Sequence, residues 1–271
     1  MTNDQPIVTQ LWIHPIKGLT PQEIDRAVLE PGLGMRGDTP KGSRLRDRAL
    51  ALMFVDAAAE PGRIVPWMSK QHFAVQNDWP DLAALDCRYE EQSDRLIVSH
   101  NGVEVLAASL QTDRDRIDAF FTDYLAGLTP TESARHPQPG AVRLVGDLAG
   151  NTRYPDRHRV HISLIGRATL DAISEVAGCD IDVRRFRPNV VFEGTKPWEE
   201  FEWIGQRRSL GTAQISISAP IGRCNNIEVH PTTGERDLPL LSLLKKHFGH
   251  TKTGVVAKVE VGGIVAISDR L

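Results

Sequence analysis

Three cysteines in 271 residues, at positions 87, 179 and 224, are too few, too odd in number and too far apart for a disulfide framework or a structural zinc site. No C-x-x-C occurs, and a reducing cytoplasm suits such usage. The opening residues, Met1 to Pro6, are polar, so the apolar stretch of a secretory leader is missing there. No apolar run approaches the length that spans a bilayer. Charge of one sign is also missing: 32 Lys and Arg face 35 Asp and Glu, a net charge of -3, which gives no footing for bulk nucleic-acid binding. No internal repeat is present. Gly32-Leu33-Gly34-Met35-Arg36-Gly37 has neither the helix of a dinucleotide fingerprint nor the Lys-Ser/Thr ending of a P-loop, and G-x-S-x-G and H-E-x-x-H are absent. These absences leave a soluble, cytoplasmic globular chain without a common catalytic signature.

Most of what is present reads as strand. Strand signals fall at 7–13, 27–29, 49–55, 95–99, 103–106, 142–145, 160–165, 190–192, 214–218, 255–261 and 264–267. Asn101-Gly102 predicts a hairpin, and Gly262-Gly263 predicts a second. Helical periodicity predicts three helices. The first, 114–126, has Thr112 or Asp113 as its cap and Gly127 as its stop. The second, 167–177, ends at Gly178, and the third, 239–248, ends at Gly249. Regular βαβ alternation is missing, so the fold class is mixed α/β and β-dominated, with an antiparallel barrel-like core. The Pro-rich segment 127–140 marks the division between an N-terminal part, 1–126, and a C-terminal part, 127–271. The polar stretch 148–159 reads as an exposed loop.

One cysteine stands in a distinctive setting, Arg223-Cys224 followed by Val229-His230-Pro231-Thr232-Thr233-Gly234. Upstream, Pro15-Ile16-Lys17, Leu45-Arg46-Asp47-Arg48 and Arg185-Phe186-Arg187-Pro188-Asn189 supply cationic and amide groups. One soft thiolate with several Lys/Arg anchors suits a metal cofactor that carries a phosphate. A free cysteine is more often a small buried hydrophobe, and that reading is kept for Cys87 and Cys179.

Together with Gly34-Met35-Arg36 and the closing Gly263-Ile264-Val265-Ala266-Ile267-Ser268-Asp269, these motifs resemble the MOSC superfamily, named for the molybdenum cofactor sulfurase C-terminal domain. The likeness is greatest to its branch with an N-terminal β-barrel region, which includes the amidoxime-reducing component. The resemblance implies a MOSC-type antiparallel β-barrel core at 127–271 with a few flanking helices, and a barrel-like region at 1–126. It implies a molybdenum cofactor, Mo-molybdopterin, with Cys224 as the metal ligand and catalytic residue. Lys17, Arg48, Arg187 and Asn189 would hold the pterin and its phosphate, Arg223 would favour the thiolate, and Arg36 and Lys70 are further candidates. His161 and His230 are candidate proton donors on residue chemistry alone.

The implied activity is reduction of N-hydroxylated or related N–O and S–O small molecules, with electrons from a separate reductase or ferredoxin-type protein. Nucleic acid and membrane are not expected partners. The alternative is a non-catalytic carrier of the cofactor or of sulfur. The pyridoxal-phosphate domain of true cofactor sulfurases has no counterpart in these residues. Gly18 stands where the nearest relatives have Ser, Asn225, Asn226, Ile227 and Glu228 follow Cys224, and His230 replaces an Asp.

Overall fold

Leu50–Phe54 is five consecutive buried residues, the pattern of a strand covered on both faces, whereas Leu85–Glu90 alternates buried and exposed, the pattern of a strand with one wet face. The computed structural model describes residues 5–38, 45–56, 68, 70–148, 154–156 and 160–271. In chain order the strands are β1 (Ile7–Ile13), β2 (Ile16–Lys17), β3 (Gln22–Ile24), β4 (Arg26–Glu30), β5 (Gly34–Gly37), β6 (Leu50–Phe54), β7 (Leu85–Glu90) and β8 (Arg95–His100). They continue as β9 (Val103–Ser109), β10 (Val142–Gly146), β11 (Ile162–Gly166), β12 (Val190–Glu193), β13 (Arg207–Leu210), β14 (Ala213–Gly222), β15 (Lys252–Val261) and β16 (Gly263–Ala266). The helices are α1 (Arg114–Ala126), α2 (Arg167–Ala177) and α3 (Leu240–Phe248).

A seven-stranded sheet runs β13-β14-β15-β11-β12-β1-β3 and is antiparallel except where β11 lies parallel to β12. Three register shifts between β14 and β15 curl it. Three-stranded sheets β10-β6-β2, β16-β4-β5 and β7-β8-β9 surround it. The fold is thus β-dominated and largely antiparallel, as the sequence predicts. Alternate residues of β11 and β12 face opposite ways: Leu164 and Val190 enter the main core, while Ile165 and Val191 meet Leu170, Ile173, Leu240 and Leu244 of α2 and α3. The segments 1–126 and 127–271 share sheets, since β1 pairs with β12, β4 with β16 and β6 with β10.

Asn101 and Gly102 both have positive φ (52° and 76°) and close the expected hairpin. Gly262-Gly263 does not make one. β15 pairs with β14 along its length, and β16 leaves it to pair with β4. Asp113 precedes α1, but its carboxylate accepts from the backbone N–H of Ser109 (3.0 Å) instead of capping the first turn. Residues 149–153 and 157–159 of the polar stretch lie outside the described residues. Among the described residues no helix is long and apolar enough to cross a membrane.

Candidate cofactor site

Lys17 reaches the interior because β2 runs parallel to β6, with Lys17 opposite Ala51. Its side chain is 2% exposed. An ammonium has three protons to donate, and all three have acceptors: the carbonyls of Tyr154 (3.1 Å) and Pro155 (3.3 Å) and Oδ1 of Asp156 (2.6 Å). Burial pulls the Lys17 pKa down to about 8, although the Asp156 charge pulls the other way.

Arg48 and Arg187 share an unusual backbone. Both are left-handed, with φ of 53° and 52°. Arg187 precedes Pro188, which keeps it out of the right-handed helical region and ends the short 3-10 turn Val183–Phe186. The left-handed turns send both guanidinium groups to one place. Arg48 Nε donates to Asp156 Oδ2 (2.8 Å), and its Nη1 donates to Asp47 Oδ2. Arg187 Nη1 donates to the Leu19 carbonyl (2.6 Å) and to Gln76 Oε1 (3.3 Å), while its buried Nη2 has no partner among the described residues. Burial first, and then the charge of Arg48, lowers the Arg187 pKa to about 10.

Beneath them His14 is fully buried and bonded to Asp47, whose Oδ1 accepts from the His14 backbone N–H (2.8 Å) and meets Nδ1 (3.2 Å). Burial and the Arg187 charge push the His14 pKa down to about 3, so the ring is neutral at neutral pH. Against the effect of burial, the Arg48 charge, helped by His14, holds the Asp47 carboxyl well below the usual range, and the Lys17 charge, helped by Arg48, does the same for Asp156.

Cys224 arrives from the far end of the chain. β14 stops at Gly222, and the exposed Cys224 precedes a 3-10 turn, Asn225–Glu228. Arg223 is a brace: Nε donates to Thr253 Oγ1 (2.5 Å), Nη1 to the Phe186 carbonyl (2.8 Å) and Nη2 to the Thr253 carbonyl.

Lys17, Arg48, Arg187, Asn189, Arg223 and Cys224 line one cavity of about 350 Å³. Its described lining holds six cationic side chains, with Lys70 and Arg185 added to four of these, and two carboxylates, Asp47 and Asp156.

Two residues in the wall are committed elsewhere. The Asn189 carboxamide is spent inside the sheet, with Oδ1 accepting from Ser163 N (3.0 Å) and Oγ (3.1 Å) and Nδ2 donating to the Trp12 carbonyl (3.2 Å). The Arg223 guanidinium faces its brace. Arg36 lies outside the lining, on β5, with Nε 3.3 Å from Glu30 Oε2.

His161 lines the cavity and His230 does not; the Nδ1 of His230 instead accepts from the backbone N–H groups of Thr232 and Thr233, both at 3.2 Å. Glu228 points away too, accepting from the backbone N–H of Leu241 at 3.2 Å. Cys87 is a buried hydrophobe, its thiol pushed up to about 12 by burial, but Cys179 is exposed because it follows the left-handed stop at Gly178.

Sequence reasoning missed Asp156, His14 and the structural use of Arg185, whose Nη2 pairs with Asp237 at 2.6 Å. An Asp inside a polar stretch carries no sign that its carboxylate turns inward. Pro15, next to His14, was the available signal for a fixed backbone there.

Residues 152–271 match the family model of the MOSC domain. Over 76 residues it is 32% identical to the molybdenum cofactor sulfurase of Anopheles gambiae, covering 28% of this chain and 10% of that protein. Over 86 residues it is 29% identical to molybdenum cofactor sulfurase 2 of Culex quinquefasciatus, covering 31% of this chain and 11% of that protein. The matched segments thus span about a tenth of those relatives. Among solved structures, the YuaD protein from Bacillus subtilis superposes with a TM-score of 0.43 at 12% identity, over 98% of this chain and 93% of that one. YiiM from Geobacillus stearothermophilus gives 0.31 at 21% identity, over 46% of this chain and 63% of that one. Cys224, Arg187 and Asn189 lie within the matched residues, and Lys17 and Arg48 precede them.

Proposed function

We propose that this cavity binds a molybdenum cofactor, with Cys224 as the ligand to the metal and Lys17, Arg48 and Arg187 facing the phosphate. The observation that supports it most is the buried Nη2 of Arg187, unpartnered among the described residues, in a wall that also holds Lys17, Arg48 and Lys70. A buried donor without an acceptor is costly, and an anionic group would satisfy it. The donor set fits as well. Among the described residues no three His, Cys, Asp or Glu side chains are placed to hold an ion together, so a metal here would bring ligands of its own and take one soft donor from Cys224. A cavity of about 350 Å³ is within the range of small-molecule sites.

When bound, the cofactor supplies oxygen-atom and two-electron chemistry, and the chain supplies binding, orientation and electrostatics. Arg187 offers a forked donor to an anion, and Arg48 and Lys17 offer charge. Arg223 fixes the strand end that carries Cys224. His161, on the same wall, is the imidazole placed to move a proton to or from a small molecule. The activity that follows is reduction of N-hydroxylated or related N–O and S–O compounds, with electrons from a separate reductase or ferredoxin-type protein. The test is turnover of a hydroxylamine or amidoxime by metal-loaded protein with a reduced dye as donor. Loss of turnover in folded Cys224→Ala supports the reading, and full retention contradicts it.

The exposure of Cys224 favours a second reading, a carrier that hands cofactor or sulfur to another protein. Metal-loaded protein that gives no turnover with any of these compounds, yet passes its cofactor to an acceptor, would establish that role.

A further inference from the structure

The cationic wall already holds an anion of its own. All three Lys17 donors are used by one short segment, Tyr154 through its carbonyl at 3.1 Å, Pro155 through its carbonyl at 3.3 Å, and Asp156 through Oδ1 at 2.6 Å. The same carboxylate takes Arg48 Nε on its other oxygen at 2.8 Å. An incoming phosphate therefore finds no free donor on Lys17 while the segment is in place. Its negative charge would also meet that of Asp156 at close range.

Resting on the reading that this cavity takes an anionic group, we propose that Tyr154–Asp156 is a latch: Asp156 occupies the Lys17–Arg48 cradle in the empty protein, and the ligand's phosphate enters by displacing it.

Two features say how the exchange runs. Arg187 Nη2 is unpartnered among the described residues, and Lys70 lines the same cavity, so an anion has a first contact that does not require the latch to open. Tyr154 is the fixed end. Its backbone N–H donates to the Arg48 carbonyl (2.9 Å), and its ring is 2% exposed and lies edge-on to Phe73 with centroids 5.3 Å apart. The carboxylate is thus tethered close to the cradle whether latched or not, and returns at high effective concentration when the ligand leaves. In the empty state it also spares the protein an uncompensated buried ammonium. Asp47 is not the latch: it is 10% exposed and accepts from the backbone N–H of the fully buried His14, whereas the Asp156 side chain is 39% exposed.

The experiment titrates inorganic phosphate into protein purified from a host that makes no molybdenum cofactor, by calorimetry at constant ionic strength. Wild type, Asp156→Asn, Asp156→Glu and Lys17→Met are compared. Asp156→Asn removes the competing charge and is expected to bind phosphate on the order of tenfold tighter than wild type, the worth of one charge-assisted hydrogen bond. Asp156→Glu keeps the charge and should stay within about twofold of wild type. A second readout needs no substitution: the carbon-13 carboxyl resonance of Asp156 in the wild-type protein should move on adding phosphate, as the group leaves Lys17 and Arg48. Equal or weaker binding by Asp156→Asn, with affinity still lost in Lys17→Met, overturns the latch and leaves the anion site standing. An Asp156 resonance that does not move while phosphate binds has the same meaning. Absence of phosphate binding in every variant overturns both.

Discussion

Arg223 Nη1 donates to the carbonyl of Phe186 at 2.8 Å, and that bond ties the strand end bearing Cys224 to the turn that presents Arg187. The guanidinium also holds Thr253 through two further bonds and lies 5.3 Å from the centre of the Phe186 ring. Arg223→Ala should lower stability by about 2–4 kcal/mol, because it leaves the Phe186 and Thr253 carbonyls without these donors. Arg223→Lys should recover little, since a point charge cannot make three divergent bonds. Urea midpoints of the three proteins check this, and a fully stable Arg223→Lys would show that only charge matters there.

Arg187 has the opposite balance. It is held in a left-handed turn, is half-buried, and has one buried nitrogen without a partner among the described residues. Arg187→Met should weaken retention of a phosphate-bearing ligand at least roughly tenfold. The empty protein should lose less than about 2 kcal/mol, because the charge it gives up was itself costly to bury. Phosphate titration beside thermal melting measures both. A large stability loss with unchanged binding would make Arg187 a structural residue.

The Gly18 departure has a steric reason. Its φ is +80°, and a Cβ there would lie 2.8 Å from the Val75 Cα and 3.0 Å from the Ala74 carbonyl oxygen. Gly18→Ser should therefore destabilise by about 2–4 kcal/mol, the sum of left-handed strain and overpacking. Gly234, at φ +79°, faces the Asp81 Cα at 2.7 Å and should behave likewise as Gly234→Ala. Gly32→Ala is the control: its φ is +69° but open space surrounds it, so only the strain of about 1–2 kcal/mol should appear. Equal losses at all three positions would remove the steric argument.

His14 gives a signed pH dependence. Its pKa is about 3 in the fold against an ordinary 6.5, so as pH falls through 6.5 the unfolded chain takes up a proton that the folded chain refuses. Stability contributed by the neutral ring is thus present above pH 6.5 and is lost between 6.5 and 3. The loss is at most about 1.4 kcal/mol per pH unit. Urea midpoints between pH 6.5 and 4.5, above the acid range in which Asp47 and Asp156 protonate, should fall in wild type and fall less in His14→Asn. Parallel slopes would mean that His14 is not the group responsible.

Local signals carried much of the fold. Ile7–Ile13, Arg114–Ala126 and Arg167–Ala177 have the bounds that their periodicity and their terminal Gly127 and Gly178 indicate. Strands too short or too charged to show a period were not legible, such as Ile16–Lys17 and Arg207–Leu210. Leu85–Glu90 was legible and overlooked, for its Leu, Cys and Tyr alternate with polar residues. Gly262-Gly263 shows the limit: turn chemistry permits a hairpin, but β16 takes its partner from β4, at the other end of the chain. In the site, residue type and family likeness pointed to Lys17, Arg48, Arg187 and Cys224. They could not show that Asn189 spends its amide on Ser163 and Trp12, or that Asp156 turns inward, because those partners are set by long-range packing.

The proposed cofactor is held between Cys224 and the Lys17–Arg48–Arg187 wall. Molybdenum and pterin content, measured on wild type and Cys224→Ala purified from a host that makes the cofactor, tests it most directly. Near-stoichiometric molybdenum and pterin are expected in the wild type, with molybdenum lost in the folded variant. Wild-type protein that is well folded yet carries neither, or a variant that keeps its molybdenum in full, would contradict it.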